Sequence, residues 1–324
     1  MYSKEELSAI IEDYIGRLPF PEEPDTLYEP IIYSLAGGGK RLRPLLALMA
    51  CNIFSDDVKQ ALPCAAAIEV FHNFTLLHDD IMDNAAVRRG KPAVHRKWGA
   101  NSAILSGDAM LIYSYSLLEQ AAAELLPRML RIFNDTSMKV CEGQQYDMDF
   151  ESREKVSMEE YLTMISLKTA VLLAGATAIG ALAGGASEAD CKNLETFATQ
   201  LGMAFQIQDD ILDSYGTENT LGKKIGGDIS EGKKTFLTTA AMEIADEDTR
   251  IRLAGLMHNK EMIADDKFAR VLAIYERLGI REHAEKAVDE YTRQAIGALD
   301  ALSVPAERTE PIRRLAMELL RREH

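Results

Sequence analysis

The sequence predicts an all-α protein, a single large bundle of roughly ten or more helices. Three observations carry that reading. Apolar residues recur at i, i+3, i+4 and i+7 along most of the 324 residues, among abundant Ala, Leu, Met, Glu and Lys. Runs of alternating β-branched residues are almost absent. Breakers punctuate the chain at short intervals and none is long enough to be a linker, so residues 1–324 are expected to form one domain.

The first helix lies in MYSKEELSAIIEDYIG, where acids alternate with apolar residues at helical spacing. It lacks the basic region and apolar stretch of a signal peptide, so the expected compartment is the cytoplasm. LPFPEEP ends that helix, and AGGGKRLRP ends the next, with Pro44 where a first helical turn accepts it. FSDD precedes a long helix, apolar on most faces, that ends near Asp83, and RRGKP follows it. Between SREKVS and GGASEAD lies AVLLAGATAIGALAGG, too short and too rich in Gly to span a bilayer, and expected to be a buried helix. A second long apolar helix ends near Asp213. YGTENTLGKKIGGDISEGKK and LSVPAE make the last breaks. Helices apolar on most faces belong at the centre of a bundle.

A hydrophobic fraction of 47% and a charged fraction of 27% exclude disordered and collagen-like chains. The net charge of -15 argues against a nucleic-acid partner, because a strongly acidic surface repels a phosphate backbone. An anionic ligand must therefore have a local basic site. Cys51, Cys64, Cys141 and Cys191 are scattered, without CxxC pairs or nearby His, and indicate neither a zinc site nor disulfides.

Two clusters break the apolar pattern: LLHDDIMDN near position 80 and IQDDILDSY near position 210. Residues four apart share a helix face, so Asp79 and Asp83 project together with Asp80 about 100° round, and Asp209, Asp213 and Asp210 repeat the arrangement. Both clusters sit at helix C-termini, where the dipole disfavours carboxylates. They need a compensating cation. Oxygen-only ligands suit Mg²⁺, which takes one or two carboxylates and completes its octahedron with water and substrate phosphate. A single DDxxD would also serve as a solvated helix end; two copies, each behind an apolar helix, favour the metal. Neither has EF-hand spacing.

GGGKRLRP sets Lys40, Arg41 and Arg43 behind a glycine run at a helix start, the form of an anion site, though not a Walker A loop. Arg88 and Arg89 follow the first acid cluster as planar forks for phosphate oxygens. Lys168 with Thr169, and Lys223, Lys224, Lys233 and Lys234 after the second cluster, add positive charge. Read singly, each lysine is a solvated surface residue; their grouping around the acid clusters gives them meaning.

The ordered series GGKRLRP, HNFTLLHDDIMDN, RRGKPAVH, GDAML, GQQYDMDF, LKTA, FQIQDDILD and GKKIGGDISEGKKTF resembles the trans-isoprenyl diphosphate synthases, the polyprenyl synthetase family, over nearly the whole chain. The resemblance implies an isoprenoid synthase-like bundle around a central apolar cavity. It implies that Asp79, Asp83 and Asp209 bridge three Mg²⁺ ions to an allylic diphosphate, with Asp80, Asp210 and Asp213 in support. Arg88, Lys168, Thr169, Gln206, Lys223 and Lys233 match positions that hold that diphosphate. Lys40, Arg43, His72 and Arg89 match the isopentenyl diphosphate pocket. The doubled lysine leaves Lys223 and Lys224 as alternatives, with Lys223, after Gly222, favoured. His78 and His95 are left undecided.

The implied reaction is ionisation of the allylic diphosphate, attack by the double bond of isopentenyl diphosphate, and loss of a proton to a diphosphate oxygen. Fixed cations stabilise the departing charge and an apolar cavity shelters the carbocation. Phe74 lies five residues before Asp79 and Phe71 eight before, one to two turns along the helix at about 5.4 Å per turn. By resemblance an aromatic at that fifth position suits a C20, geranylgeranyl product, and Thr75 departs from the paired aromatics of C15, farnesyl, producers. C15 or a longer polyprenyl product is the alternative, and both phenylalanines would also serve as core packing. A class I terpene cyclase usually carries a different second metal motif, and a noncatalytic synthase subunit tends to lose an acid cluster; here both clusters are present. An acidic helical scaffold would bind no diphosphate. The resemblance also implies a homodimer; no membrane anchor is visible.

Overall fold

The computed structural model describes residues 1–217, 225–259 and 261–320. Among them the secondary structure is helical, apart from one two-stranded hairpin. Contacts group the chain into two compact units. The first comprises Met1–Asn134, Gly175–Leu194 and Leu302–Ile312, and the second Asp135–Ala174, Glu195–Ala301 and Arg313–His324.

In the first unit, α1 (Lys4–Gly16) begins at Ser3, whose hydroxyl accepts the Glu6 N–H at 3.2 Å while the Glu6 carboxylate accepts the Ser3 N–H at 2.8 Å. This reciprocal cap satisfies two donors that a helix start leaves unpaired. After α2 (Asp25–Leu35) comes α3 (Leu42–Phe54), with Pro44 in its first turn as expected. The long helix α4 (Leu62–Met82) packs against α3 and, over most of its length, against α6 (Ala100–Leu118). Leu46, Leu48, Ile68 and Phe71 are buried there, each worth roughly 1.5–3 kcal/mol of transfer free energy.

Between α4 and the short α5 (Val94–Trp98) the RRGKP break is a hairpin, β1 (Val87–Arg88) paired antiparallel with β2 (Lys91–Pro92), Arg88 opposite Lys91. Its turn residues, Arg89 (φ 51°) and Gly90 (φ 74°), are both left-handed. That is the type I′ geometry, whose twist matches its strands.

The second unit contains most of α7 (Leu126–Ser152), then α8 (Met158–Ile165), which Ser157 and Glu160 cap as Ser3 and Glu6 cap α1. A five-residue π-helical segment, Ser166–Ala170, joins α8 to α9 (Val171–Ala183). The resulting helix runs unbroken from Met158 to Ala183. This corrects the expectation that no apolar segment reaches membrane-spanning length: by length and composition this one does, and 72% of its most apolar window is buried inside the protein. Burial of that stretch was expected; its length was hidden because the polar residues of ISLKT interrupt the apolar run.

α10 (Glu188–Tyr215) carries the second acid cluster in its last two turns, as its periodicity predicts. It is followed by α11 (Gly227–Glu231), α12 (Phe236–Ile244, capped by Thr235), α13 (Glu247–His258), α14 (Ala264–Leu278), α15 (Ile280–Asp300) and α16 (Ala306–Leu320). Tyr161, Ile207, Leu237, Val271 and Tyr275 are central to this unit's core.

Candidate active site

In the first unit α4 ends at the aspartates. The Asp83 N–H donates to the Asp79 carbonyl at 2.8 Å, closing the last turn and setting both residues on one face. Asp80 turns inward and is buried, while Asp83 is exposed. The hairpin brings Arg88 back over this end. Its Nε donates to Asp80 Oδ1 at 2.8 Å and its Nη2 donates to Asp80 Oδ1 and, at 3.2 Å, to Asp79 Oδ2. These carboxylates raise the Arg88 pKa against the opposing effect of its burial.

Close by on α4, His72 Nε2 accepts from Arg43 Nη1 at 3.0 Å; the guanidinium has no lone pair to accept with, so the His72 proton sits on Nδ1. Burial, and then the positive charges of Arg43, Arg89, Arg88 and Arg41, hold His72 well below its usual pKa, so it is neutral at pH 7. Burial, with Arg89 nearby, pushes Arg43 down to about 10. Arg89 donates to the Gly38 carbonyl, and burial with its cationic neighbours lowers its pKa as well. Burial is the main cause in each case, and the neighbouring cations add to it against the opposing pull of Glu69 on Arg43 and Arg89. Lys40 is exposed. A hollow of about 30 Å³ lies beside Arg88 and Arg89, walled by Tyr33 and Leu77.

Arg41 departs from the sequence reading, which grouped it with Lys40 and Arg43. It is buried, donating to Glu69 at 2.8 Å, to Glu12 at 3.0 Å and to the Leu35 carbonyl. Its charge is consumed inside the fold. His78, which had no assigned role, bonds the Ile104 carbonyl at 3.1 Å. A Cβ on Gly107 would come within 2.3 Å of His78 Nε2, so only glycine admits that ring between α4 and α6. Phe71 is fully buried against Phe133, and Phe74 is half-buried, its ring centroid 5.4 Å from that of Phe71 and 4.8 Å from that of His78. The Thr75 hydroxyl donates to the His72 carbonyl at 2.8 Å.

In the second unit the cluster on α10 is built differently. Asp210 is buried and accepts the Tyr161 hydroxyl at 2.5 Å, the Phe236 N–H at 2.7 Å and Gln206 Nε2 at 3.3 Å. Gln206 in turn accepts the Thr169 hydroxyl at 3.1 Å. Desolvation, with Asp228 adding repulsion, pushes the Asp210 pKa up to about 7 despite these donors. Asp213 is also buried and accepts the Asp228 N–H at 3.1 Å, and its carbonyl accepts the Gly226 N–H at 2.7 Å. Asp209 is half-buried.

Lys168 sits on the π-helical segment and donates to Asp147 at 2.5 Å. A Cβ on Gly143 would lie 2.3 Å from the Lys168 backbone nitrogen, so α7 reaches that segment only because position 143 is glycine. Lys233 is exposed and pairs with Glu231 at 3.0 Å. Lys223 and Lys224 lie outside the described residues.

Within the first unit, then, Asp79, Asp80 and Arg88 meet, as do Arg43 and His72; within the second, Thr169, Gln206 and Asp210 form one network. Tyr161, Asp147 and Phe133 are partners the sequence reading did not single out, although Asp147 stands in the quoted GQQYDMDF. Among the described residues no three His, Cys, Asp or Glu side chains converge into a self-sufficient metal site. The donor set still fits a hard cation that keeps water and ligand oxygens, because each cluster offers carboxylate oxygens without sulfur or imidazole.

A polyprenyl synthetase family model matches residues 24–275. The chain is 40% identical over 303 residues to a short chain isoprenyl diphosphate synthase of Methanothermobacter thermautotrophicus, covering 93% of this chain and 92% of that one. It is 38% identical over 299 residues to a geranylgeranyl diphosphate synthase of Sulfolobus acidocaldarius, covering 91% and 88%. A crystal structure of a geranylgeranyl pyrophosphate synthase superimposes with a TM-score of 0.95 at 40% identity, covering 100% of both chains.

Proposed function

The chain belongs to the polyprenyl synthetase family and is a prenyltransferase, and from that premise we propose that it condenses isopentenyl diphosphate with an allylic diphosphate to give geranylgeranyl diphosphate. The single observation that carries this reading is the meeting of two opposite charge sets beside α4: an aspartate end joined to Arg88, and a pocket where the buried cations Arg43 and Arg89 flank neutral His72.

Asp79, Asp83 and Asp209 are the proposed ligands of Mg²⁺, three ions in all. Bound there, Mg²⁺ would neutralise charge on the departing diphosphate. Arg88, Lys168, Thr169, Gln206, Lys233 and either Lys223 or Lys224 hold the allylic diphosphate, and the cations among them stabilise the charge that grows as its carbon–oxygen bond breaks. Asp147 orients Lys168. Asp80, Asp210 and Asp213 act as supports, consistent with their burial. Lys40, Arg43, Arg89 and neutral His72 bind the diphosphate of the second substrate. Its double bond attacks the allylic cation, and a proton then leaves to diphosphate oxygen.

Phe74 sets chain length in this proposal, and Phe71, pinned by Phe133, backs it. We also propose a cytoplasmic homodimer. The large apolar residues Leu105 and Ile112, a heptad apart on α6, are 59% and 68% exposed, as a face covered by a second copy would be in the isolated chain.

The test is product analysis: purified protein, Mg²⁺, isopentenyl diphosphate and each allylic starter, followed by dephosphorylation and mass spectrometry. A C20 alcohol is expected, and Phe74→Ala should lengthen it by at least one C5 unit. Absence of elongation with every starter overturns the synthase reading; an unchanged product length in Phe74→Ala overturns the chain-length assignment.

A further inference from the structure

The second unit has another concavity, about 340 Å³, between the segment 153–157, α12 and α13. That volume is within the range of small-ligand pockets. Its walls include Val156, Met242, Ala254 and Met257, so an apolar body can be buried there.

Four cations, Arg153, Lys155, Lys234 and Arg250, line it with three carboxylates, Glu154, Glu160 and Glu243. Arg153 pairs with Glu160 at 2.8 Å. Arg250 gives its donors to the Met242 and Ala245 carbonyls and to Glu247. Glu243 accepts the Met158 N–H at 2.8 Å. Lys155 and Lys234, which also line the cavity, have no carboxylate partner among the described residues. Lys234 is half-buried, and burial lowers its pKa. Thr239, 2% exposed and likewise in the lining, has a hydroxyl without a hydrogen-bond partner among the described residues. A partly desolvated ammonium and an unpaired hydroxyl each cost free energy that a bound anion returns.

We propose that this cavity binds an amphiphilic anion, with its apolar tail against Met242, Met257 and Val156 and its head group at Lys155 and Lys234. An isoprenoid diphosphate is the expected source, a choice that rests on the synthase reading; the amphiphile chemistry rests on the cavity alone. The site adjoins the second acid cluster through α12. The same helix offers its first N–H to Asp210 and lines the cavity with Thr239 and Met242.

The test is calorimetric titration of the full chain in EDTA, which withholds divalent ions from the acid clusters, with farnesyl diphosphate and dodecyl phosphate as separate probes. A binding component is expected that weakens at least tenfold both in Met242→Trp, which fills the cavity, and in Lys155→Glu, an exposed change that leaves the core intact. Arg43→Gln, in the other diphosphate pocket, should leave that component in place. Tighter binding of the farnesyl probe identifies an isoprenoid as the source, and equal binding a general fatty anion. Binding unchanged in Lys155→Glu and Met242→Trp, or lost in Arg43→Gln, overturns the proposal. No elongation assay enters, so failure of the synthase reading leaves this result standing.

Discussion

Asp80 and Asp210 hold the same place in two DDxxD motifs, yet Asp80 is held by a guanidinium whereas Asp210 is held by a phenol, a backbone amide and a carboxamide. The first arrangement brings a compensating charge with it. The second keeps a carboxyl in a buried place with neutral donors alone, and its affinity for a proton rises accordingly. One motif thus specifies the spacing of three carboxyls, and the elements folded over it decide their charge.

The largest effect that sharpens this contrast is on pH dependence. With a folded pKa of about 7 above an unfolded value of 3.8, Asp210 keeps its proton in the native state over a range where the unfolded chain has lost it. Its contribution therefore favours folding below about pH 4 and declines as pH rises to about 7, by up to about 1.4 kcal/mol per unit and on the order of 4 kcal/mol in all. Urea unfolding of metal-free protein at pH 5 and pH 8 checks it, and Asp210→Asn should flatten the slope. A slope untouched by that substitution would put the two aspartates in the same electrostatic state.

Next in size is Arg88→Ala. Losing a guanidinium that serves both Asp79 and Asp80 should lower kcat/KM by about 100- to 1,000-fold, read in a steady-state elongation assay. A smaller effect is expected of Tyr161→Phe, which removes one neutral donor from a buried carboxyl and should cost about 1–3 kcal/mol of stability with less than a tenfold loss of activity. If Tyr161→Phe impaired turnover as severely as Arg88→Ala, the second cluster's neutral donors would be as bound up with chemistry as the first cluster's cation.

Much of this was legible in the sequence because it is local. The ends of α4 and α10, the shared face of Asp79 and Asp83, and the break at SREKVS before α8 follow from helical period and breaker residues. The unread parts depend on partners far along the chain. Arg41 and Arg43 look alike locally, and only the fold puts Glu69 against one and His72 against the other. Tyr161 reaches Asp210 across 49 positions. Strands of two residues carry no period, so the hairpin was invisible, and the π-helical segment at Lys168 leaves the surrounding helical pattern intact.

The turn at Arg89 has a consequence for how such a chain drifts. A left-handed backbone at a residue other than glycine costs on the order of 1 kcal/mol, so at φ 51° glycine would be the more stable choice. Selection for heat resistance alone would erase this arginine, and with it the cation beside Gly38. Its place in the sequence sets resilience against the proposed diphosphate contact at a single codon.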